Sequence, residues 1–221
     1  MRFDMILNIN KHKGVSSFNI VKSIRFITKE KRVGHGGTLD PFAEGVLIIG
    51  TGKDTKELTN ITNENKSYLA TIKLGVATDT LDTFGKISKE KEVPNLNKKY
   101  ISEVLLSFLG KTMQIPPMFS AKKIAGKRLY ELARKNIIIK RNPVEINVIK
   151  ITLIDFLNDK IIFDVTCSKG TYIRVLGSDI AEKLGTVGHL ESLIRTRVGK
   201  FLLEDSITLE KFKSTWKSCT I

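Results

Sequence analysis

The chain has 221 residues, enough for one large domain or two small ones, and its apolar fraction of 41% suffices for a sizeable core. Its 37 basic residues against 23 acidic ones give a formal charge of +14, a surplus that favours polyanionic partners such as nucleic acid. Cys167 and Cys219 lack a CxxC spacing and the histidines (His12, His35, His189) are scattered, which argues against a disulfide framework or a metal centre; with no run of 18 apolar residues and no secretory h-region, the expectation is a soluble cytoplasmic protein.

In chain order, Met5 to Ile9 reads as a short strand and Lys11-His12-Lys13-Gly14 as a basic turn. Ser16 or Ser17 can cap a helix whose apolar positions Ile20, Val21, Ile24 and Ile27 have helical spacing. After the charge run Lys29 to Arg32 comes Gly34-His35-Gly36-Gly37-Thr38-Leu39-Asp40-Pro41. Its glycines let backbone turn sharply or pass close to a ligand, and proline holds the preceding Asp40 extended. Gly45 to Gly50 reads as a short buried strand, so the pattern presents one carboxylate on a tight loop at the mouth of a sheet.

Gly52 to Leu58 reads as a short helix, and Ser67 to Leu74 alternates as a strand burying Tyr68, Ala70, Ile72 and Leu74. Thr78 to Gly85 is a polar turn with two acids, Asp79 and Asp82, for which turn hydrogen bonding is favoured over metal binding. Tyr100 to Leu109 is an amphipathic helix stopped by Gly110, and Gln114 to Ser120 is rigid non-helical chain. Lys122-Lys123, Lys127-Arg128, Arg134-Lys135 and Lys140-Arg141 then place eight cations in 20 residues, the strongest local candidate for a phosphate-binding face. Val144 to Phe156 and Ile161 to Cys167 pair as strands across Asn158-Asp159. Thr171 to Leu184 is a helix, Leu190 to Phe201 a loosely alternating stretch containing Arg195, and a short helix follows Ser206. No repeat, linker or composition shift marks a seam, so residues 1–221 are expected to form a single domain, and nothing asks for more than a monomer.

Five blocks in this order resemble the TruB family of tRNA pseudouridine synthases. They are Lys11-x-x-Gly14-x-Ser16-Ser17; Gly34 to Asp40-Pro41-x-Ala43-x-Gly45-Val46-Leu47; Lys66-x-Tyr68 with Gly75-x-x-Thr78-Asp79-Thr80-x-Asp82-x-x-Gly85; Pro116-Pro117-x-x-Ser120-Ala121-x-Lys123-x-x-Gly126-x-x-Leu129-Tyr130-Glu131-x-Ala133-Arg134; and Cys167-Ser168-Lys169-Gly170-Thr171-Tyr172-Ile173-Arg174. The resemblance implies the α+β pseudouridine synthase fold, a mostly antiparallel mixed sheet flanked by helices with a basic active-site cleft. It implies Asp40 as the catalytic carboxylate, Arg174 as its partner, Tyr68 stacking on the target base, His35 near the flipped nucleotide and Leu193 packing against the base. The implied partner is the T-arm of tRNA, with uridine 55 the target and no cofactor or metal.

The chemistry suits these residue types. A stacked uracil must be extruded, at a cost of a few kcal/mol, into an aromatic or apolar slot. A carboxylate can then attack carbon or take a proton from the ribose 2′ carbon, and the residues leave both routes open. A guanidinium can direct that carboxylate by a two-pronged bond that lysine cannot reproduce. Lys11, Lys122, Lys123, Lys127, Arg128, Arg134 and Arg195 are the candidate RNA-binding cations. His12 stands where the family has proline. The roughly twenty residues after Phe201 are too few for the PUA RNA-binding domain of many bacterial members, so the expectation is a short form gripping tRNA through phosphate contacts. An RNA-binding protein without catalysis, a guide-RNA-dependent relative and a basic enzyme not acting on RNA, with a coincidental Asp loop, are the competing readings.

Overall fold

The computed structural model describes residues 4–124 and 126–218. The chain divides into two compact units, Met1–Tyr68 with Leu193–Ile221, and Leu69–Ser192. Both divisions fall within strands, so no linker composition accompanies them.

The first unit opens with β1 (Met5–Lys11), α1 (Ser17–Thr28), β2 (Val33–His35), β3 (Glu44–Thr51), a 3-10 turn over Gly52–Lys56 and α2 (Leu58–Asn63), and runs into β4 (Lys66–Leu74). The second adds β5 (Val76–Thr78), β6 (Ile87–Glu90), α3 (Lys98–Leu106), β7 (Gly110–Gln114), β8 (Lys123–Ile124), β9 (Lys127–Arg128), α4 (Leu129–Ala133), β10 (Val144–Leu157), β11 (Lys160–Cys167) and α5 (Ile173–Lys183). Strand β12 (Gly188–Val198) returns the chain to the first unit, which closes with β13 (Phe201–Leu202), β14 (Ile207–Thr208) and α6 (Leu209–Ser218). No described helix is long and apolar enough to cross a membrane.

In the first unit the strands lie in the order β14-β1-β3-β12. β1 runs antiparallel to β3 from Met5 opposite Thr51 to Lys11 opposite Gly45. β14 is parallel to β1, and β12 is parallel to β3 through Ile194–Glu44 and Arg195–Gly45. Strand β3 is buried from Gly45 to Thr51, which accounts for its unbroken apolar run rather than an alternating one. Val46, Ile48, Leu58 and Val198 form a core cluster, packed by Ile6, Ile61, Phe201 and Leu203. The Ser16 side chain caps α1 by accepting from the Asn19 N–H, and the helix buries Ser17, Ile20, Val21, Ile24 and Thr28 before Lys29 ends it in the left-handed region.

In the second unit the order is β4-β11-β10-β7. β10 and β11 form the expected hairpin, turning through Asn158 at φ 56°, with Ile161, Phe163, Val165 and Cys167 buried on alternate positions. Helix α3 is capped by Asn97 and buries Ile101, Val104 and Leu105. Among the elements that alternation did not reveal are two short ribbons: β5 with β6, and β8 with β9. All four residues of β6 are exposed, so no buried face prints a period on it.

One position couples the first unit's geometry to a residue type. Gly45 sits at φ 103°, and a Cβ there would lie 2.3 Å from the Arg195 carbonyl oxygen on β12. Gly45→Ala should therefore destabilise the fold by about 2–5 kcal/mol, combining backbone strain with a steric clash. A urea unfolding midpoint equal to the wild type's would show that β12 does not hold this approach.

Candidate active site

The loop from Gly37 to Ala43 that carries Asp40 is pinned from below at nearly every step. Ser17 Oγ accepts from the Leu39 N–H and donates to the Leu39 carbonyl, both at 2.9 Å. The Gly14 N–H donates to the Pro41 carbonyl at 2.7 Å, and the Ala43 N–H closes a turn onto the Asp40 carbonyl at 3.1 Å. Lys11 Nζ donates to the Ala43 carbonyl at 2.5 Å. Arg195 completes the set, with Nε to Val46 O at 2.7 Å, Nη1 to Thr38 O at 3.2 Å and Nη2 to Gly37 O at 3.1 Å. Each of these bonds engages a main-chain group in or just beyond the loop that carries Asp40.

Two cations expected to contact RNA are corrected by this arrangement. Lys11 is 0% exposed and Arg195 1% exposed, and their donors point at main-chain carbonyls. Neither can reach a phosphate without abandoning the loop. Lys11 also donates to the carbonyls of His12 at 3.1 Å and Val15 at 2.8 Å. Its ammonium thus ties together the turn that contains His12.

Burial pushes the Lys11 ammonium down to about 8, against the opposing attraction of Asp40 and then Glu44, with Arg195 adding to the depression. His35 is lowered as well, first by burial and then by Arg195, so its ring is neutral at neutral pH. Its Nδ1 is buried and has no hydrogen-bond partner among the described residues.

Tyr68 on β4 and Leu193 on β12 are both buried. Alternation puts Tyr68 on the side of its strand shared by Lys66, and Leu193 on the side shared by Arg195. A Cβ at Gly37 would lie 4.0 Å from both Lys66 Cε and Arg195 Nη1, so Lys66 and Arg195 reach the same loop. Tyr68 and Leu193 therefore share their strand faces with the two cations that reach Gly37. Lys66 had no role assigned from sequence; it is buried, with Nζ donating to Thr62 O and Glu64 O at 2.6 Å each. Its place two residues before Tyr68 was the available signal.

Arg174 lies in the second unit, on α5, and is 3% exposed. Nη1 donates to Thr80 O at 2.6 Å and Nη2 to Phe119 O at 2.7 Å, while Nε lies 3.6 Å from the Asp82 carboxylate. Asp82 in turn accepts from Thr80 Oγ1 at 2.7 Å and the Phe84 N–H at 2.9 Å, and Asp79 accepts from the Lys86 N–H at 2.9 Å. Both acids of that turn therefore serve turn hydrogen bonds. Lys123, Lys127, Arg128 and Arg134 are exposed and Lys122 is half-buried, on and around the β8–β9 ribbon and α4.

Residues 25–173 match the family model described as TruB family pseudouridylate synthase (N terminal domain). The chain belongs to the TruB family. Residues 174–219 match the tRNA pseudouridylate synthase B C-terminal domain model. A tRNA pseudouridine synthase B from Clostridium kluyveri is 46% identical over 96% of this chain and 73% of its own length, and one from Mycoplasma mobile is 45% identical over 90% and 70%. Among solved structures, a chain of a Cbf5-Nop10-Gar1 complex is similar with a TM-score of 0.78 at 28% identity. That alignment covers all of this chain and 57% of the other, so this chain spans little more than half of that one. A chain of an H/ACA RNP bound to a substrate RNA containing 2′-deoxyuridine follows at a TM-score of 0.73 and 26% identity, over 99% and 56% of the two chains. The fold is the mixed α+β pseudouridine synthase fold, with a large, mostly antiparallel sheet.

Two measurements check the site's electrostatics and support. Arg195→Met leaves the Gly37, Thr38 and Val46 carbonyls without their donor and should cost about 1–3 kcal/mol for each group left unsatisfied, whereas Arg195→Lys should lose less; equal urea midpoints for both variants and wild type would remove the clamp. For Lys11, the folded-state pKa of about 8 lies below the ordinary 10.5, so between those pH values the unfolded chain binds more protons. Wild-type stability relative to Lys11→Met should therefore rise with pH across that window, and the penalty should be complete below it. A difference that stays flat between pH 7 and 10.5 would mean an unshifted amine.

Proposed function

We propose that the protein converts the T-loop uridine of tRNA, position 55, to pseudouridine, with Asp40 as the catalytic carboxylate. The observation that carries this reading is the Asp40 loop itself: one carboxylate on a turn whose main chain is braced by Lys11 and Arg195, and close enough to the Lys11 ammonium to act on its charge. The names of the TruB relatives supply the substrate class.

In this reading the uridine leaves its stack and enters a slot walled by Tyr68 and Leu193. Stacking on the tyrosine ring contributes about 1–3 kcal/mol toward the extrusion. His35, neutral and with a free Nδ1, is suited to a hydrogen bond with the flipped nucleotide. Asp40 acts on the ribose or the base, the N1–C1′ bond breaks, and the uracil turns and rejoins through C5. The C5 proton is lost and N1 gains one, so nothing is oxidised or hydrolysed overall and the reaction asks for no cofactor. Arg174 pairs with Asp40 and directs it, its guanidinium already oriented by Thr80, Phe119 and Asp82. Lys122, Lys123, Lys127, Arg128 and Arg134 meet the T-arm phosphates, which makes affinity fall steeply with salt. The protein works as a monomer in the cytoplasm.

The test is pseudouridine formation in an unmodified tRNA transcript, mapped by site-specific chemical labelling. Wild type should convert the T-loop uridine, and Asp40→Asn should bind the transcript without converting it. Arg174→Lys should fold yet lose most of the activity. Conversion by Asp40→Asn at the wild-type rate would remove the catalytic assignment. Tight binding by wild type with no conversion of any RNA tried would leave an RNA-binding protein instead.

A further inference from the structure

The outer face of α1 is used neither by the core nor by the Asp40 loop. It exposes Phe18, Asn19, Lys22, Arg25, Phe26 and Lys29, and the helix contains no acidic residue. Phe18 is 52% exposed and Phe26 72% exposed. Scattered exposed apolar side chains are ordinary, but two phenylalanines on one helical stripe are a feature that asks for an occupant. Each carries a cation: Lys22 Nζ lies 5.0 Å from the Phe18 ring centroid, and Lys29 Nζ lies 4.3 Å from that of Phe26. The rings are eight residues apart, which on a helix is about 12 Å. Beside Phe26 a groove runs between α1 and α6, where Leu209 and Lys213 line the far wall with Glu210 as the acid among them.

We propose that this face binds unpaired nucleotides of the substrate RNA, with bases stacking on Phe18 and Phe26 and phosphates meeting Lys22, Lys29 and Lys213. The inference rests on the reading that the substrate is RNA. Charge favours a polyanion, and aromatic rings interleaved with cations are the surface that single-stranded nucleic acid uses. Position favours the same molecule that reaches Asp40. Ser17, the first residue of α1, holds both the N–H and the carbonyl of Leu39, the neighbour of Asp40. Phe18 is the next residue along the chain, so the exposed face begins one residue from the side chain that braces the Asp40 loop. A lysine over an exposed ring is weakly held; a base can take the ring and release the lysine to the adjoining phosphate. A lipid surface fits less well, because the broad apolar side of α1 is spent on the core.

The experiment measures affinity for an unmodified tRNA transcript by fluorescence anisotropy across a salt series, in an Asp40→Asn background so that binding reads without turnover. Phe18→Ala with Phe26→Ala should weaken binding about tenfold or more at every salt concentration, with the salt slope unchanged. Phe18→Leu with Phe26→Leu should do the same, since it keeps apolar bulk and removes the rings. Lys22→Gln with Lys29→Gln should instead flatten the salt slope by about 0.7 per lost phosphate contact. Thermal melting of each variant separates these effects from unfolding. Unchanged affinity in both aromatic variants overturns the proposal. The isomerase reading is judged separately: a wild type that converts no tRNA removes it, while the ring-dependent affinity would still stand.

Discussion

A guanidinium buried with no carboxylate partner among the described residues is the constraint on which the first unit depends. Arg195 is taken out of water, and its N–H groups donate to the carbonyl oxygens of Gly37, Thr38 and Val46. A buried charge must be hydrogen-bonded or it costs heavily, so these carbonyls cannot move away without penalty. The requirement runs both ways: the loop fixes the arginine, and the arginine fixes the loop. It also sets the local field, helping to lower His35 and Lys11, whose ammonium is drawn the other way by Asp40. The close passage of β12 against Gly45 is the backbone part of the same constraint.

The second unit solves a related problem with the same residue type. Arg174 is buried, bonds two carbonyls, and adds the Asp82 carboxylate that itself organises a tight turn. Arginine suits both places because its donors are set in a planar fork that can reach several acceptors at once. Together with Lys11 and Lys66, these arginines make four cations that are almost wholly buried. A net charge of +14 therefore overstates the basic surface offered to a polyanion. The exposed cations around the β8–β9 ribbon and on α1 are among those that remain accessible to a phosphate.

Much of the fold was legible because burial imposes a period. Helices α1, α3 and α5 each bury one stripe, and β4 and β11 alternate, so each announced itself near its observed limits. The two-residue strands β8, β9, β13 and β14, and the exposed β6, bury too little to leave such a mark. The division into two units was also silent, since it falls within β4 and β12. The Asp40 loop could be read because glycines and an Asp-Pro step are rare enough together to demand a purpose. Lys11 and Arg195 were misread for the complementary reason: a sequence displays a charge, but the acceptors that enclose it come from elsewhere in the chain.

That separation has a consequence for how the protein comes to be. Arg195 meets Gly37 across 158 positions of sequence, and β12 and β14 reach β3 and β1 from the far end of the chain. During synthesis the Asp40 loop emerges early and waits, without its clamp, for most of the polypeptide to follow. Closing so long a connection is slow and entropically costly, and the reward comes only when the guanidinium docks. The loop is thus among the first segments made and among the last to take its shape, so that a truncated or stalled chain presents an aspartate with no fixed direction.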